Sequence, residues 1–303
     1  MPSLTTDEPP IFPARDYAQS DADWMEIDWQ RHLHRIELPG AEVNYAEIGE
    51  GEPILFVHGL AGCWRNWLEN LPHFGRTHRA IALDLPGFGD SPMPSWEIQI
   101  SAYGRLIHDF CEKLGIDRAA ALVGNSMGGF ACTEAVIEQP SRFERLVLVS
   151  AAGISFAERR GRHVEAFVRM FETTVPFFAA AERFWLSRRG TRQIAFGSLF
   201  RYPNLLKVEL LAEQMGPDVR SPGFPAAMRA NAGYDTRHRL PEIEIPTMVV
   251  WGLSDRIVPV EAAIGYHRLI KGSRLEIFER TGHLPQLERP GRFNALLDEF
   301  LAE

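Results

Sequence analysis

The sequence predicts an α/β fold in which helices cover both faces of a largely parallel sheet. Short apolar runs rich in Val, Ile and Leu alternate along the chain with longer segments of helical periodicity. Most of these runs are apolar throughout, as expected for strands that are buried on both faces. One long stretch, residues 154–240, interrupts the alternation and is too long for an ordinary connection, so we interpret it as an inserted helical cap.

The elements follow one another in a regular order. Residues 1–30 are rich in Pro, Asp and Glu, and we interpret them as an N-terminal arm. HRIEL, EVNYAEI, PILFVHG and RAIALDLPG are predicted strands, and residues 98–114 have the apolar spacing of a helix. RAAALVGN is a predicted strand, GGFACTEAVIEQP a helix that ends at a proline, and RLVLVSAAG a strand. After the inserted segment, TMVVWG, PVEAAIGYHRLI, RLEIFE and RFNALLDEFLAE resume the alternation, so residues 31–153 and 241–303 are predicted to form the core.

The composition narrows the classes of protein that the chain can represent. Its 303 residues, 45% of them hydrophobic, suffice for one large domain with an insertion or for two ordinary domains. We find no apolar run of the roughly 18 to 20 residues that a membrane helix needs, and no pattern of a signal peptide. Cys63, Cys111 and Cys132 show neither metal-binding nor disulfide spacing. We therefore expect a soluble, cytoplasmic protein.

The charge is distributed unevenly. The net charge of −8 argues against general binding of nucleic acid. The inserted segment, in contrast, has fourteen Arg and Lys residues against eight Asp and Glu. Its aromatic stretch is predicted to roof an acyl pocket, and it contains Phe167, Phe171, Phe177, Phe178, Phe184 and Trp185. An alternative is that this stretch makes a transient contact with a membrane surface. The sequence does not predict an oligomeric state.

Ser126 lies between a predicted strand and a predicted helix, in the stretch ALVGNSMGGFACTEA with its G-x-S-x-G pattern. Such a turn strains the backbone of the serine and lifts its hydroxyl clear of the sheet. Gly124 and Gly128 lack the Cβ atoms that would collide there, and Gly129 allows close packing of the helix. The sequence therefore predicts that Ser126 is a catalytic nucleophile. An ordinary turn with an N-capping serine is the alternative.

A nucleophilic serine needs a base, and the base needs an orienting acid. We predict His283 as the base, because its loop follows a strand at the sheet edge where ligands bind. We predict Asp255 as the acid, because it follows a buried strand and gives the chain order serine, aspartate, histidine. His238 is a rival base, whereas His58 and Asp84 are interpreted as supports of their own turns.

Acyl transfer also requires N–H donors at the position where the oxyanion develops. The run FVHGLAG follows the third predicted strand and contains a glycine turn. The backbone N–H groups of Leu60, in this turn, and of Met127, after the nucleophile, are predicted to form the oxyanion hole. A plain connection between strand and helix is the alternative for this loop.

Five motifs carry a resemblance to a known family: HGLAGCWRNW, DLPGFGDS, GNSMGG, WGLSDRIVP and GHLPQLERP. In this order and spacing they resemble the α/β-hydrolase superfamily from about His34 to the C-terminus. The resemblance implies an eight-stranded, mostly parallel sheet, a helical cap after the sixth strand and no cofactor. It also implies nucleophile, acid and base roles for Ser126, Asp255 and His283.

Within this superfamily the sequence is most similar to capped serine esterases and lipases of the monoacylglycerol-lipase-like type. We therefore expect a carboxylesterase or small lipase that acts on small-molecule esters of apolar acids through an acyl-enzyme. GNSMGG is also similar to carbon–carbon-bond hydrolases of aromatic degradation. Those enzymes usually have a GGGPG-type loop and a tryptophan after the base histidine, where this chain has GLAGC and Leu284. A third alternative is a ligand-binding receptor with little turnover.

Overall fold

A computed structural model of the chain describes residues 16–20, 23–154, 168–169, 182–214 and 221–303. The strands within these residues are β1 (Leu33–Leu38), β2 (Ala41–Ile48), β3 (Pro53–Val57), β4 (Arg79–Leu83), β5 (Ala121–Asn125), β6 (Leu146–Val149), β7 (Thr247–Gly252) and β8 (Arg274–Phe278). They form one eight-stranded sheet in the order β1-β2-β4-β3-β5-β6-β7-β8. β2 pairs antiparallel with β1 and β4, and every other pairing in this sheet is parallel. The expectation of an eight-stranded, mostly parallel sheet is confirmed.

The helices of the described residues are α1 (Leu71–Phe74), α2 (Ile100–Lys113), α3 (Met127–Glu138), α4 (Glu182–Ser187), α5 (Arg189–Phe196), α6 (Val208–Glu213), α7 (Phe224–Gly233), α8 (Glu261–Leu269), α9 (Pro285–Glu288) and α10 (Pro290–Ala302). Helices lie on both faces of the sheet, as predicted. Leu55 and Val57 of β3 face a core shared with α2, α3 and α8. Ile54 and Phe56 of the same strand face a second core shared with α1 and α10. Every residue of β5, β6 and β7 is buried, which explains their continuous apolar runs.

The described part of the inserted segment packs on both cores. Phe224 and Met228 of α7 belong to the first core, whereas Phe196 of α5 and Leu210 of α6 belong to the second. Of the aromatic residues predicted to roof a pocket, Trp185 is buried and Phe184 is exposed. The others of that set, Phe167, Phe171, Phe177 and Phe178, lie outside the described residues.

The described residues of the N-terminal arm lie against the core. Tyr17 and Trp24 are both buried, and the Trp24 indole N–H donates to the buried Glu69 carboxylate at 3.0 Å. The Trp29 ring packs on Trp64 with 4.9 Å between the ring centroids. Residues 16–20 and 23–31 are called the N-terminal segment below.

Candidate active site

Ser126 lies at the sharp turn between β5 and α3. Its backbone has φ 54° and ψ −119°, a conformation that non-glycine residues adopt only at a cost of about 1–3 kcal/mol. A Cβ on Gly128 would lie 2.4 Å from the carbonyl oxygens of Val57 and His58, and a Cβ on Gly124 would lie 2.6 Å from the Gly128 carbonyl oxygen. The glycines of the pattern therefore allow β5, α3 and the end of β3 to approach closely enough to hold the strained serine.

Asp255 and His283 lie on the loops after β7 and β8 and are in contact. His283 Nδ1 and Asp255 Oδ2 are 2.7 Å apart, and the Asp255 side chain is fully buried. Asp255 Oδ1 accepts hydrogen bonds from the N–H groups of Ile257 and Val258 at 2.8 and 3.0 Å. Because a carboxylate only accepts hydrogen bonds, Nδ1 carries the imidazole proton and Nε2 remains an acceptor. A histidine in this tautomer can take a proton from a hydroxyl group.

Asn125 connects the serine turn to the histidine loop. Its side-chain amide donates to the carbonyl oxygens of Val149, at 3.1 Å, and of His283, at 3.4 Å. Between the described residues, no hydrogen bond joins Ser126 Oγ to His283 Nε2. Catalytic hydrogen bonds of this kind are often long without substrate and shorten in the complex. Sequence reasoning did not identify Asn125 as the link between these loops.

The loop after β3 lies close to the nucleophile. A Cβ on Gly59 would lie 2.9 Å from Ser126 Cβ, so this loop passes directly against the serine. The Gly59 carbonyl oxygen accepts from the Gly62 N–H at 3.0 Å and lies 2.7 Å from His58 Nδ1. The C=O and N–H of a trans peptide point in opposite directions, so these contacts fix the direction of the Leu60 N–H.

The second predicted oxyanion donor is the N–H of Met127, the first residue of α3. A helix leaves its first N–H groups without an intrahelical acceptor. Among the described residues, neither this N–H nor that of Leu60 has a hydrogen-bond acceptor. That both donate to an oxygen atom of a substrate stays a prediction.

His58 and Asp84 occupy the neighbouring strand ends and use their polar atoms to hold the backbone. His58 Nε2 accepts from the Leu85 N–H at 2.9 Å, and burial lowers the pKa of His58 to about 4. The neutral ring therefore carries its proton on Nδ1 and donates it to Gly59. Asp84 accepts from the backbone N–H groups of Trp64 and Asp90 and from an asparagine side chain, and burial raises its pKa to about 6. Both residues act as supports of turns, as interpreted from the sequence.

Two further residues bear on the assignment of the base: His238, the alternative base, and Glu288, which the sequence analysis did not single out. His238 is exposed at the end of the inserted segment. Glu288 is fully buried, and its carboxylate accepts from the N–H of Gly282, which precedes His283, at 2.6 Å. The motif GHLPQLERP contains Glu288 but does not indicate this role, because its other hydrogen-bond donors come from distant parts of the chain.

Two further features concern metals and membranes. Within the described ranges, no group of three or more His, Cys, Asp or Glu residues is arranged to hold a metal ion. No helix among the described residues combines the length and the apolar character needed to cross a bilayer.

Known proteins provide the comparison for this geometry. The model of a family described as alpha/beta hydrolase fold matches residues 52–290. A 2-hydroxy-6-oxo-2,4-heptadienoate hydrolase of Pseudomonas putida is 31% identical over 281 residues, which cover 87% of this chain and 94% of the relative. A 2-hydroxy-6-oxo-6-phenylhexa-2,4-dienoate hydrolase of Comamonas testosteroni is 30% identical over 267 residues, which cover 86% and 91%. The solved structure of an enzyme that degrades N-acyl homoserine lactones is similar with a TM-score of 0.71 and 25% identity, and the match covers 88% of this chain and 100% of that one.

Proposed function

We propose that this chain, which belongs to the α/β-hydrolase family, is a serine hydrolase that cleaves carboxylic esters of apolar acyl groups. The observation that carries this proposal is the set of groups at the carboxyl edge of the sheet. They are a serine at positive φ, two N–H groups without a described acceptor, and a histidine bound to a buried carboxylate. Ester hydrolysis through an acyl-enzyme needs these groups and no others from the protein.

In the proposed reaction, Ser126 Oγ attacks the ester carbonyl carbon while His283 Nε2 takes the hydroxyl proton. The carbonyl oxygen becomes an oxyanion and accepts hydrogen bonds from the N–H groups of Leu60 and Met127. His283 then gives its proton to the leaving alkoxide oxygen as the C–O bond breaks. Water then gives a proton to the same imidazole and attacks the acyl carbon. The bond between Ser126 Oγ and the acyl carbon breaks, His283 returns the proton to Oγ, and the acid is released. Asp255 holds Nδ1–H and stabilises the imidazolium throughout.

The inserted segment is proposed to form the cap over this site and to bind the acyl group. Its described helices lie on the same cores that support the catalytic loops. Leu199, which follows α5, accepts a hydrogen bond from the His283 N–H at 2.7 Å, so the segment reaches the catalytic loops directly. Each buried methylene of an acyl chain contributes about 0.8 kcal/mol to binding. Specificity should therefore rise with acyl length until the pocket is full.

Carbon–carbon-bond hydrolysis is the second candidate, and the two relatives of 30–31% identity favour it, because both are named dienoate hydrolases. Such substrates carry a carboxylate and need a cation near the nucleophile. In the described part of the chain, Arg65 already pairs with Glu213 at 3.0 Å, and Arg256 donates to the Gly197 carbonyl oxygen at 3.3 Å. The arginines between residues 155 and 167 lie outside the described residues. The similar solved structure is described as an N-acyl homoserine lactone degrading enzyme, and because a lactone is a cyclic ester, this likeness favours the first candidate.

Covalent labelling tests the proposed nucleophile. A serine-directed phosphonate should add one equivalent to the wild-type protein, at Ser126, and should not label Ser126→Ala. We expect Ser126→Ala to lose ester turnover by several orders of magnitude while its melting temperature stays close to that of the wild type. Near-wild-type turnover in this variant would exclude Ser126 as the nucleophile. Stoichiometric labelling without turnover of any ester or of an anionic dienoic keto acid would indicate the receptor alternative.

A substrate comparison separates the two hydrolase candidates. We would measure kcat/KM for neutral esters of graded acyl length and for an anionic dienoic keto acid, at low and high salt. A steep dependence on acyl length with little effect of salt supports the esterase. Efficient, salt-sensitive cleavage of the anionic substrate with a flat ester profile would support the carbon–carbon hydrolase instead.

Contact with a membrane surface stays a prediction for this chain. Phe184 and Ile194, 55% and 70% exposed, are the described apolar side chains of the inserted segment that would make it. The exposed Arg188 and Arg189 lie between them in the sequence and would attract anionic lipid. Sedimentation with anionic vesicles, and with neutral ones as a control, would test the contact.

A further inference from the structure

Glu288 is a buried carboxylate at which three separate parts of the chain meet. It is fully buried, and its oxygens accept from the Tyr17 hydroxyl at 2.6 Å, the Arg201 N–H at 2.8 Å and the Gly282 N–H at 2.6 Å. These donors belong to the N-terminal segment, the inserted segment and the histidine loop. Burial raises the pKa of Glu288 to about 7, and the three hydrogen bonds and the nearby, almost fully buried Arg289 guanidinium oppose this rise.

We propose that Glu288 is a positioning residue for His283, and that Tyr17 couples the N-terminal segment to this position. The inference rests on the proposed function, in which His283 is the general base. It assigns to Glu288 and Tyr17 an effect on the reaction rate that they exert through the backbone of the histidine loop and without contact with the substrate.

The backbone that leads into His283 is held through this carboxylate. Glu288 accepts from the N–H of Gly282 directly. The N–H of His283 donates to the Leu199 carbonyl oxygen at 2.7 Å, and the neighbouring Arg201 N–H donates to Glu288. A Cβ on Gly282 would lie 2.6 Å from the Leu199 carbonyl oxygen, so the histidine loop and the backbone after α5 are in close contact. In Glu288→Gln the amide nitrogen cannot accept a hydrogen bond, so the support on at least one of these sides would be lost.

Tyr17 holds the carboxylate from the side of the N-terminal segment. Its hydroxyl donates to Glu288 and accepts from the Tyr202 N–H at 3.0 Å. The adjacent Ala18 N–H donates to the Glu288 carbonyl oxygen at 2.8 Å. The Arg289 guanidinium lies 5.3 Å from the centroid of the Tyr17 ring and pairs with Asp16. The N-terminal segment therefore fixes both the side chain and the main chain of Glu288.

The same segment offers a matched control. Trp24 anchors it on a second buried carboxylate, Glu69, through an N–H···O contact of 3.0 Å. Glu69 follows the helical turn Trp64–Trp67 and belongs to neither the histidine loop nor its supports. Substitutions at Glu69 and Trp24 therefore weaken the docking of the N-terminal segment without touching the residues that hold His283.

The experiment compares Glu288→Gln with Glu69→Gln, and Tyr17→Phe with Trp24→Phe. For each full-length variant we would measure kcat and KM on the best ester, the rate constant for phosphonylation of Ser126, and the melting temperature. Misplacing the imidazole by a fraction of an ångström should lower kcat and the phosphonylation rate about 10- to 100-fold in Glu288→Gln and about 3- to 10-fold in Tyr17→Phe. KM should change much less, because the base acts only in the transition state. Tyr17→Phe should add little in a Glu288→Gln background, because both act through one carboxylate.

Glu69→Gln and Trp24→Phe should lower the melting temperature while kcat stays within about twofold of the wild type. The inference is wrong if these two control variants lower kcat as much as Glu288→Gln and Tyr17→Phe do at an equal loss of melting temperature. The fall in kcat would then reflect general stability. Unchanged kcat in Tyr17→Phe would also overturn it, and this variant decides the matter if Glu288→Gln does not fold. A wild-type protein that the phosphonate does not label would instead overturn the proposed function itself.

Discussion

Two histidine–aspartate pairs lie at the carboxyl edge of the sheet, one on each side of Ser126. His58 and Asp84 follow β3 and β4, and we call them the β3–β4 pair. Asp255 and His283 follow β7 and β8, and we call them the β7–β8 pair. All four side chains are buried or nearly so. The sheet order places β3 next to β5, the strand that ends at the serine, whereas β6 separates β5 from β7.

The two pairs differ in whether a histidine nitrogen is left without a hydrogen-bond partner among the described residues. In the β3–β4 pair, both His58 nitrogens contact the backbone and the Asp84 carboxylate accepts from three donors. In the β7–β8 pair, Asp255 holds Nδ1 of His283, and Nε2 has no hydrogen-bond partner among the described residues. A histidine near a strand end is thus able to act as a base only when its second nitrogen is left for a substrate or nucleophile. Proximity to the serine alone does not distinguish the pairs.

Replacing each aspartate by asparagine should give the largest difference between the pairs. Asp255→Asn should lower kcat about 10³- to 10⁴-fold, because the amide can stabilise the wrong tautomer of His283 and cannot stabilise its imidazolium. The melting temperature should change little. Asp84→Asn should lower kcat less than about tenfold but destabilise the fold by about 1–3 kcal/mol, because an amide cannot accept from all three donors.

The measurements are kcat on one ester and urea unfolding, made on both variants side by side. If Asp84→Asn abolished turnover at full stability while Asp255→Asn retained it, the roles of the two pairs would be reversed. Equal losses of activity in both variants would mean that the two loops act as one unit.

His58→Gln should have a smaller effect on activity and would sharpen the comparison. The imidazole holds the Gly59 carbonyl oxygen, so its loss frees the Gly59–Leu60 peptide to turn and weakens one oxyanion donor. We expect kcat to fall about 10- to 100-fold with KM nearly unchanged, because the oxyanion exists only in the transition state. His267→Gln is the control, since this histidine contacts Ser273 beyond α8 and no part of the site. A rise in KM without loss of kcat would show that His58 shapes the substrate pocket instead.

Much of the fold could be predicted because buried parallel strands are apolar at every position. The predicted strand TMVVWG coincides with β7. The predicted ends of helices and strands were less accurate, because hydrophobic periodicity does not show where the backbone conformation changes. The helix predicted from residue 98 begins at Ile100, since Gln99 is extended with φ −138°. The strand predicted from residue 118 begins at Ala121, since Ala119 makes only an isolated bridge to Phe143.

Some residues of the candidate site could also be selected from the sequence, and others could not. Ser126, Asp255 and His283 could be selected because each lies in a recognisable turn that follows a predicted strand. Glu288 could not, because the Tyr17 hydroxyl that it binds is 271 positions away in the chain. Its donors become neighbours only through tertiary folding. Local sequence therefore identifies groups that act on a substrate more readily than groups that position them.

The β3–β4 pair has a property that stability measurements can detect. Burial raises the pKa of Asp84 from 3.8 to about 6 and lowers that of His58 from 6.5 to about 4. Between these values the folded protein binds more protons at Asp84 than the unfolded chain does, so the contribution of Asp84 to the free energy of unfolding falls as pH rises. The folded protein binds fewer protons at His58, so the contribution of His58 rises over the same range. In the wild type the two slopes oppose each other.

The smallest effect we expect concerns the pH dependence of stability. Replacing Asp84 or His58 should leave only the pH dependence that the other residue contributes to the free energy of unfolding. Relative to the wild type, the free energy of unfolding of Asp84→Asn should rise from about pH 4.5 to about pH 6, whereas that of His58→Gln should fall, each by at most about 1.4 kcal/mol per pH unit. Urea unfolding at intervals across this range measures both slopes, and the double variant should again follow the pH dependence of the wild type. Slopes of the same sign in the two single variants would contradict the opposed titration, because one buried acid and one buried base cannot both bind excess protons in the fold. Two flat profiles would mean that folding shifts neither pKa in this range, as when water reaches both groups, and would likewise contradict the opposed titration.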